Sequence, residues 1–253
     1  MKGENMELIS SVKNPRVCYW KSLQDRKGRE ESDCFLVEGA KMVREALSSS
    51  FEIKEILVRE DYEPPFPLPD KTTVYMLSDH AFSAISDTRT PQGIAAVLSR
   101  RVLPLQGTKF IALDAVQDPG NVGTIIRTAD AAGFDGVILS PECADLFSPK
   151  VLRSTMGSIF RMRFSFSVCL PSMLREYREK GFSILSSQLD GDPFYERKNV
   201  SPSFVLIVGN EGNGISAAVK AEATHSLCLP MRGGAESLNA AVAAGIMMYE
   251  LTR

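Results

Sequence analysis

A two-domain α/β protein with a parallel sheet in its C-terminal part is the fold class this sequence predicts. Three observations carry it. Strand-like and helix-like stretches alternate from residue 109 to the end. The strands there, Phe110–Leu113 and Phe204–Val208 above all, are nearly continuous apolar runs, as strands covered on both faces are. The length of 253 residues exceeds a typical domain of about 150 and leaves room for a smaller domain ahead. With 44% apolar and 24% charged residues, the chain can build an ordinary core.

Taken in order, Asn14-Pro15 opens a polar, amphipathic segment that runs to Glu31, with Pro15 suited to a first helical turn. Cys34–Val37 reads as a strand, Ala40–Leu47 as a helix after Gly39, and Ile53–Val58 and Thr73–Leu77 as strands. DYEPPFPLPD, with four prolines in ten residues, must be a loop. Ser78 or Asp79 caps a helix over His80–Ile85, and Gly93–Leu98 returns as a strand. Ser99–Lys109, with Pro104 and Gly107, is the linker, giving domains at 1–100 and 109–253. Beyond it come strand Phe110–Leu113, helix Asn121–Ala132, strand Val137–Leu139 and helix Pro149–Met156. Then follow helix Pro171–Lys180, strands Phe182–Leu185 and Phe204–Val208, helix Ile215–Ala223, strand Ser226–Leu229 and a closing helix Leu238–Leu251.

Composition excludes several functions. Twenty-nine Lys and Arg against 31 Asp and Glu leave a net charge of -2, so any nucleic-acid affinity comes from local patches. Five widely spaced cysteines without a C-x-x-C pair argue against a disulfide scaffold and a zinc cluster. Only His80 and His225 are present, and no serine sits in a G-x-S-x-G elbow, so a multi-histidine metal site and a Ser-His-Asp triad are not expected. No apolar run is long enough to span a membrane, and MKGENMELIS lacks the apolar core of a signal peptide. The expectation is a cytoplasmic protein with no metal and no membrane partner.

Ligands of open parallel sheets sit beyond the carboxyl ends of the strands, and three strands here end in unusual loops. In LDAVQDPGNVGTIIRTADAAG, Asn121 is suited to cap the helix, and Arg127 lies about 9 Å further along its axis. Arg127 is read either as a functional group or as the ion-pair partner of Asp130. FVLIVGNEGNGIS runs a buried strand into Gly209, Gly212 and Gly214 and offers one carboxylate, Glu211. Its spacing is not G-x-G-x-x-G and it lacks the Walker lysine, which disfavours a nicotinamide-dependent oxidoreductase and a P-loop enzyme. In LCLPMRGGAESLNAAVAAGIMMYELTR, Leu229-Pro230-Met231 ends a strand and Ser237 is read as the cap of the closing helix, with Asn239 in its first turn. That helix is apolar nearly all round, which a subunit interface would explain.

Together, DPGNVGTIIRTADAAG, IVGNEGNGIS and LPMRGGAESLNAAVAAGI, in this order and spacing, resemble the three motifs of the SpoU/TrmH-type RNA ribose 2′-O-methyltransferases of the SPOUT superfamily. DLFSPKVLRSTMGSIF is similar to another of their segments, and ISSVKNPRV…LVEGAKMVREAL to the small substrate-binding domain that many members carry. The resemblance implies a deep trefoil knot in the C-terminal domain, a homodimer, and S-adenosylmethionine bound in the knot. It implies Gly209, Leu229, Met231 and Leu238 as cofactor contacts, and Asn121, Arg127, Glu211, Ser237 and Asn239 as active-site residues. It also implies an RNA substrate-binding role for residues 1–100. The substrate expected is ribosomal RNA. A transfer-RNA methyltransferase and a catalytically silent RNA-binding protein of the same fold are the alternatives.

Arginine is a reluctant base, since its pKa exceeds about 12, so the expected role for Arg127 is to clamp an RNA phosphate and polarise the hydroxyl. Glu211 would then hold Arg127 or a backbone amide. From Leu146 to Arg175 there are five basic residues and no acidic one. Lys150, Arg153, Arg161 and Arg163 of that run are the expected RNA contacts. Lys27 and Arg29 are expected to add a second patch, with Tyr19 and Trp20 stacking on bases.

Overall fold

The computed structural model describes residues 8–253; the first seven residues of MKGENMELIS, read above for a signal peptide, lie outside them. Two compact units emerge. One contains the described residues through Arg101 together with Phe147–Phe160, and the other contains Val102–Leu146 and Arg161–Arg253.

The first unit begins with β1 (Leu8–Ile9), α1 (Pro15–Ser22), α2 (Arg26–Ser32), β2 (Cys34–Glu38) and α3 (Ala40–Leu47). It continues with β3 (Ile53–Arg59), β4 (Thr73–Leu77), α4 (Asp79–Ile85) and β5 (Ile94–Ser99). Its sheet has the order β1-β4-β3-β5-β2, with β5 antiparallel to both neighbours and the remaining pairs parallel. Asn14 caps α1 by accepting from the Arg16 amide, with Pro15 in the first turn as expected. The amphipathic segment after it is two helices, not one. Residue 28 must be glycine because a Cβ there would run into the Ser22 backbone.

The break between α1 and α2 overturns two expectations. Arg29 is only 3% exposed, and its Nη1 donates to the carbonyls of Leu23 (2.8 Å) and Gln24 (2.7 Å), which α1 leaves without helical partners. It is a structural cation, not an RNA contact. Trp20 is fully buried in the core with its Nε1 donating to Glu55 (2.6 Å), and the partly buried Tyr19 packs against the same core, so Trp20 has no free face for a base.

The second unit begins with β6 (Lys109–Asp114), α5 (Pro119–Ala131) and β7 (Gly136–Leu139). The chain then supplies α6 (Pro149–Thr155) and a single 3-10 turn to the first unit. It enters on Phe147, whose ring meets Phe35 (4.7 Å), and leaves on Phe160, whose ring meets Phe51 (5.6 Å). The second unit resumes with β8 (Arg163–Phe166), α7 (Leu170–Glu179), β9 (Ser183–Pro193) and β10 (Phe204–Gly209). It closes with α8 (Ala217–Lys220), β11 (His225–Cys228) and α9 (Ala240–Leu251).

Its six strands are all parallel, in the order β11-β9-β10-β6-β7-β8. All six residues of β10 are buried, which is why that strand reads as an unbroken apolar run. The helix expected over Ile215–Ala223 contracts to the short α8, and the strand expected at Phe182–Leu185 runs on to Pro193. No helix among the described residues is long and apolar enough to cross a membrane, and all five cysteines are free.

Replacing Arg29 by Ala strands two carbonyls beneath a cavity. We expect a loss of about 2 kcal/mol in folding stability, read as a lower urea midpoint with an unchanged slope. Charge loss at an exposed site would leave the midpoint in place.

Candidate active site

The site grows from the carboxyl ends of β6 and β10 and the segment after β11. Beyond β6, Asp118 caps α5, its Oδ1 accepting from the Asn121 amide at 2.8 Å. The cap is therefore three residues earlier than expected, which leaves the Asn121 side chain free for other work. Val122, Ile125, Ile126 and Ala129 form the buried stripe of α5, and Asn121, Thr124 and Arg127, at spacings of three, lie along its outer face. Arg127 is exposed, and its side chain has no hydrogen-bond or ion-pair partner among the described residues. Asp130, its predicted alternative partner, is taken by Arg161 through Nε (2.9 Å) and Nη2 (2.7 Å).

Beyond β10, the glycine loop folds onto itself. Asn210 and Gly214 exchange backbone hydrogen bonds (3.0 and 2.9 Å), Gly214 adopts φ +67°, and a Cβ on Gly209 would run into the backbone of Gly214 and Ile215. The Asn210 side chain organises the turn: its Oδ1 accepts from the amides of Gly212 (2.9 Å) and Asn213 (3.0 Å), and its Nδ2 donates to the Ala115 carbonyl (2.9 Å). Asp114, only 7% exposed, accepts from the Ser216 amide at 2.7 Å. These two residues pin the β10 loop to the end of β6.

The third segment ends on Asn239, which caps α9; Ser237, the expected cap, stands two residues outside it. Asn239 Oδ1 accepts from the amides of Ala241 (2.9 Å) and Val242 (3.3 Å). Its Nδ2 donates to Asn121 Oδ1 (3.0 Å), and Asn121 Nδ2 donates to Glu211 Oε1 (2.8 Å). The direction of this chain is set at both ends, because helix amides only donate and an ionised carboxylate only accepts. Glu211 thus holds Asn121, not Arg127.

A cavity of about 560 Å³ opens beside this chain. Gly209, Leu229, Met231 and Leu238, and also Glu211, Ser237 and Asn239, line it. Asn121 reaches it through its two bonds, and Arg127 stands outside the lining. Sequence reasoning missed part of the wall, residues 187–190. They belong to a bulge in β9: β11 pairs Ser226 with Ser186 and then Leu227 with Asp192, so the intervening residues are unpaired and turn to the cavity. The available signal was their place at the carboxyl end of a parallel strand, together with Gly191, where a Cβ would meet the Ser226–Leu227 backbone (2.6–2.7 Å). Asn210, Asp114 and Asp118 were also missed, although Asn210-Glu211-Gly212 has the form of an Asx turn.

The basic run divides. Lys150 and Arg153 fold with the first unit, and Arg161 and Arg163 with the second. Arg153 pairs with Asp87 (2.5 Å), Arg161 with Asp130, and Arg175 with the buried Glu222, while Arg163 donates to the Pro104 carbonyl (3.0 Å). Acids distant in sequence therefore answer three of the five charges. Lys27 is exposed and pairs loosely with Glu31 (3.7 Å). Among the described residues no group of three or more His, Cys, Asp or Glu is placed to hold a metal.

The relay separates two roles of Asn239. Asn239→Ala should cost about 1 kcal/mol and speed hydrogen exchange at the Ala241 and Val242 amides. Asn239→Asp keeps the cap but sets an acceptor against Asn121 Oδ1. It should retain the melting temperature within about a degree and still disable the site, so equal thermal losses in both variants would refute the relay.

Comparison with known proteins identifies the family. Residues 108–249 match the SpoU rRNA Methylase family, and residues 14–96 match the MRM3-like substrate binding domain. The chain is 45% identical over 247 residues to the 23S rRNA (guanosine(2553)-2′-O)-methyltransferase RlmP of Bacillus subtilis (strain 168), covering 97% of this chain and 99% of that one. Among solved structures, it is similar to the AdoMet-bound rRNA methyltransferase from Sinorhizobium meliloti, at 32% identity and a TM-score of 0.86 over 97% of both chains. It also resembles the SpoU methyltransferase AviRb from Streptomyces viridochromogenes in complex with AdoMet, at 25% identity and a TM-score of 0.83 over 95% of this chain and 97% of that one. With residues 108–249, more than half of its length, matched, the chain belongs to the SpoU rRNA methylase family.

Proposed function

We propose that this protein methylates a ribose 2′-hydroxyl of ribosomal RNA, 23S rRNA as in the Bacillus relative, with S-adenosylmethionine as donor. The observation that carries the reading is the convergence of Glu211, Ser237 and Asn239 with Gly209, Leu229, Met231 and Leu238 on one cavity, beside an exposed Arg127. The cavity's volume lies in the range of small-molecule sites, and its wall mixes apolar side chains with a tight glycine loop. These features fit the cofactor, which Gly209, Leu229, Met231 and Leu238 would hold. When bound, S-adenosylmethionine supplies an already activated sulfonium methyl.

The chain's own task is then alignment. Asn121, fixed by Glu211 and Asn239, orients the ribose, with Ser237 beside it. Arg127, one turn beyond Thr124 on the same face, clamps the adjacent phosphate and polarises the hydroxyl. Its guanidinium is unspent because Asp130 is occupied by Arg161. A planar fork suits this bidentate task, and a guanidinium is no proton acceptor near neutral pH.

In the same reading, residues 1–100 form the RNA substrate-binding domain and 109–253 the methyltransferase domain, with Phe147–Phe160 joining the former. After the edge strand β11 the chain returns past β9 to set α9 against α5 and β10. This return of the chain to the middle of the sheet supports reading the domain as a deep trefoil knot. The protein acts in the cytoplasm, where its five free cysteines stay reduced.

The protein pairs as a homodimer through α9. Val242, Ile246 and Tyr249, spaced four and three apart, form an exposed apolar stripe at 51%, 38% and 56% exposure. Ala244, on the same helix, is fully buried within the unit, so a charge there would test folding and not association.

Methyl transfer to a 23S rRNA transcript, followed with isotopically labelled donor, tests the reaction; no incorporation into any ribosomal RNA would refute it. Arg127→Ala should lower transfer by at least about a hundredfold while calorimetric affinity for S-adenosylmethionine stays within twofold, and Arg127→Lys should recover little. Val242→Glu combined with Ile246→Glu should give folded monomers by sedimentation; an unmodified protein that is monomeric and active at assay concentration would sink the dimer.

A further inference from the structure

We infer that the loop of residues 86–92, tipped by Arg89, is a preorganised phosphate-binding element for the RNA substrate, built jointly with α6. The inference rests on reading the protein as an RNA methyltransferase. Glu38, at the end of β2, holds the loop from beneath. Its Oε2 accepts from the Ser86 hydroxyl (2.7 Å), and its Oε1 from the Gln92 amide (2.8 Å) and the Thr88 hydroxyl (3.3 Å). Ser86 Oγ also accepts from the Thr88 amide (3.1 Å), and the Thr88 hydroxyl lies 3.1 Å from the Thr90 carbonyl. Gly93, which ends the loop, adopts φ +81°, and Gly39, next to Glu38, adopts φ +99° and lies against the Gln92 side chain.

Four donors of these seven residues are thus spent on bracing, while the side chains of Arg89 and Thr90 are exposed. Arg89 has no side-chain partner among the described residues. The loop's one acid, Asp87, is answered by Arg153 of α6, and Lys150 lies one turn before Arg153 on the same helix. Arg153 therefore ties α6 to the loop at Asp87, two residues from Arg89. The hydroxyl and amide donors around Glu38 balance its charge within the loop.

A flexible loop would lose entropy on gripping a phosphate, and a braced one has lost it in folding. The arrangement suits an RNA backbone, which a guanidinium fork and a neighbouring hydroxyl both recognise. Neither group reads a base edge, so the loop adds affinity and register, leaving the choice of nucleotide to the site beyond β6 and β10.

The test uses the full chain and an unmodified 23S rRNA transcript, with binding measured across a range of salt. Arg89→Ala should raise Kd about tenfold and lower the slope of log K against log salt by about one, and Arg89→Lys should keep the slope. Calorimetric affinity for S-adenosylmethionine should be unchanged in both. Glu38→Ala discriminates further, because simple electrostatics predicts tighter RNA binding when a negative charge is removed. Bracing predicts weaker binding at an unchanged slope. An Arg89→Ala variant with unaltered Kd and slope, or a Glu38→Ala variant that binds more tightly, overturns the inference. Unmodified protein that binds through Arg89 yet transfers no methyl group would sink the proposed reaction and leave this element standing. Methylation with binding indifferent to Arg89 would do the reverse.

Discussion

The pairing of β10 with β6, in a register that sets Gly209 opposite Asp114, decides where the site can form. Both strands are buried along nearly their whole length, and burial on two faces leaves no freedom to slip without stranding backbone groups away from water. Because the strands end level, Asp114 reaches the Ser216 amide and Asn210 reaches the Ala115 carbonyl. The glycine loop is therefore anchored to its neighbour's end before any ligand is considered. Glu211 then projects where Asn121, in the first turn of α5, can donate to it.

The third segment is positioned by polarity, not by burial. An N-cap must offer an oxygen to the first amides of α9, which turns the amide nitrogen of Asn239 outward to Asn121. One asparagine thereby ties the start of the last helix to the start of α5. The cavity lies against this tie, with its apolar wall supplied by Leu229, Met231 and Leu238. A site assembled from three strand ends is rigid for the same reason the sheet is. Each member is held by a hydrogen bond to a different loop.

Charge is distributed by a second logic. The run from Lys150 to Arg175 carries only basic groups in sequence, yet Asp87, Asp130 and Glu222 meet three of them in space. Among the described residues, Arg127 on the outer face of α5 and Arg89 on its braced loop are exposed cations with no side-chain partner. Close to each in sequence, another arginine occupies an acid: Arg161 takes Asp130, three residues from Arg127, and Arg153 takes Asp87, two residues from Arg89. On a chain with a net charge of -2, such exposed cations leave positive charge available to a polyanion.

By itself the sequence determined the parallel α/β character of residues 109–253, the first-turn place of Pro15, a helix start at Ser78 or Asp79, and the three loops with their residues Gly209, Glu211, Leu229, Leu238 and Asn239. Apolar runs, proline and glycine positions and motif spacing are local properties, and they survive without knowledge of the fold. Other matters were settled only in three dimensions. Asp118 and Asn239 outcompeted Asn121 and Ser237 as caps, since which side chain meets a helix amide depends on where the chain arrives. The bulge at 187–191 depends on the register of a strand distant in sequence. Arg29 passed from surface cation to buried staple because the break after α1 exposed carbonyls beside it. Phe147 and Phe160 drew α6 out of the domain that surrounds it in sequence, by burying their rings against Phe35 and Phe51. Contacts of that kind join residues more than a hundred positions apart, and no local pattern in the chain records them.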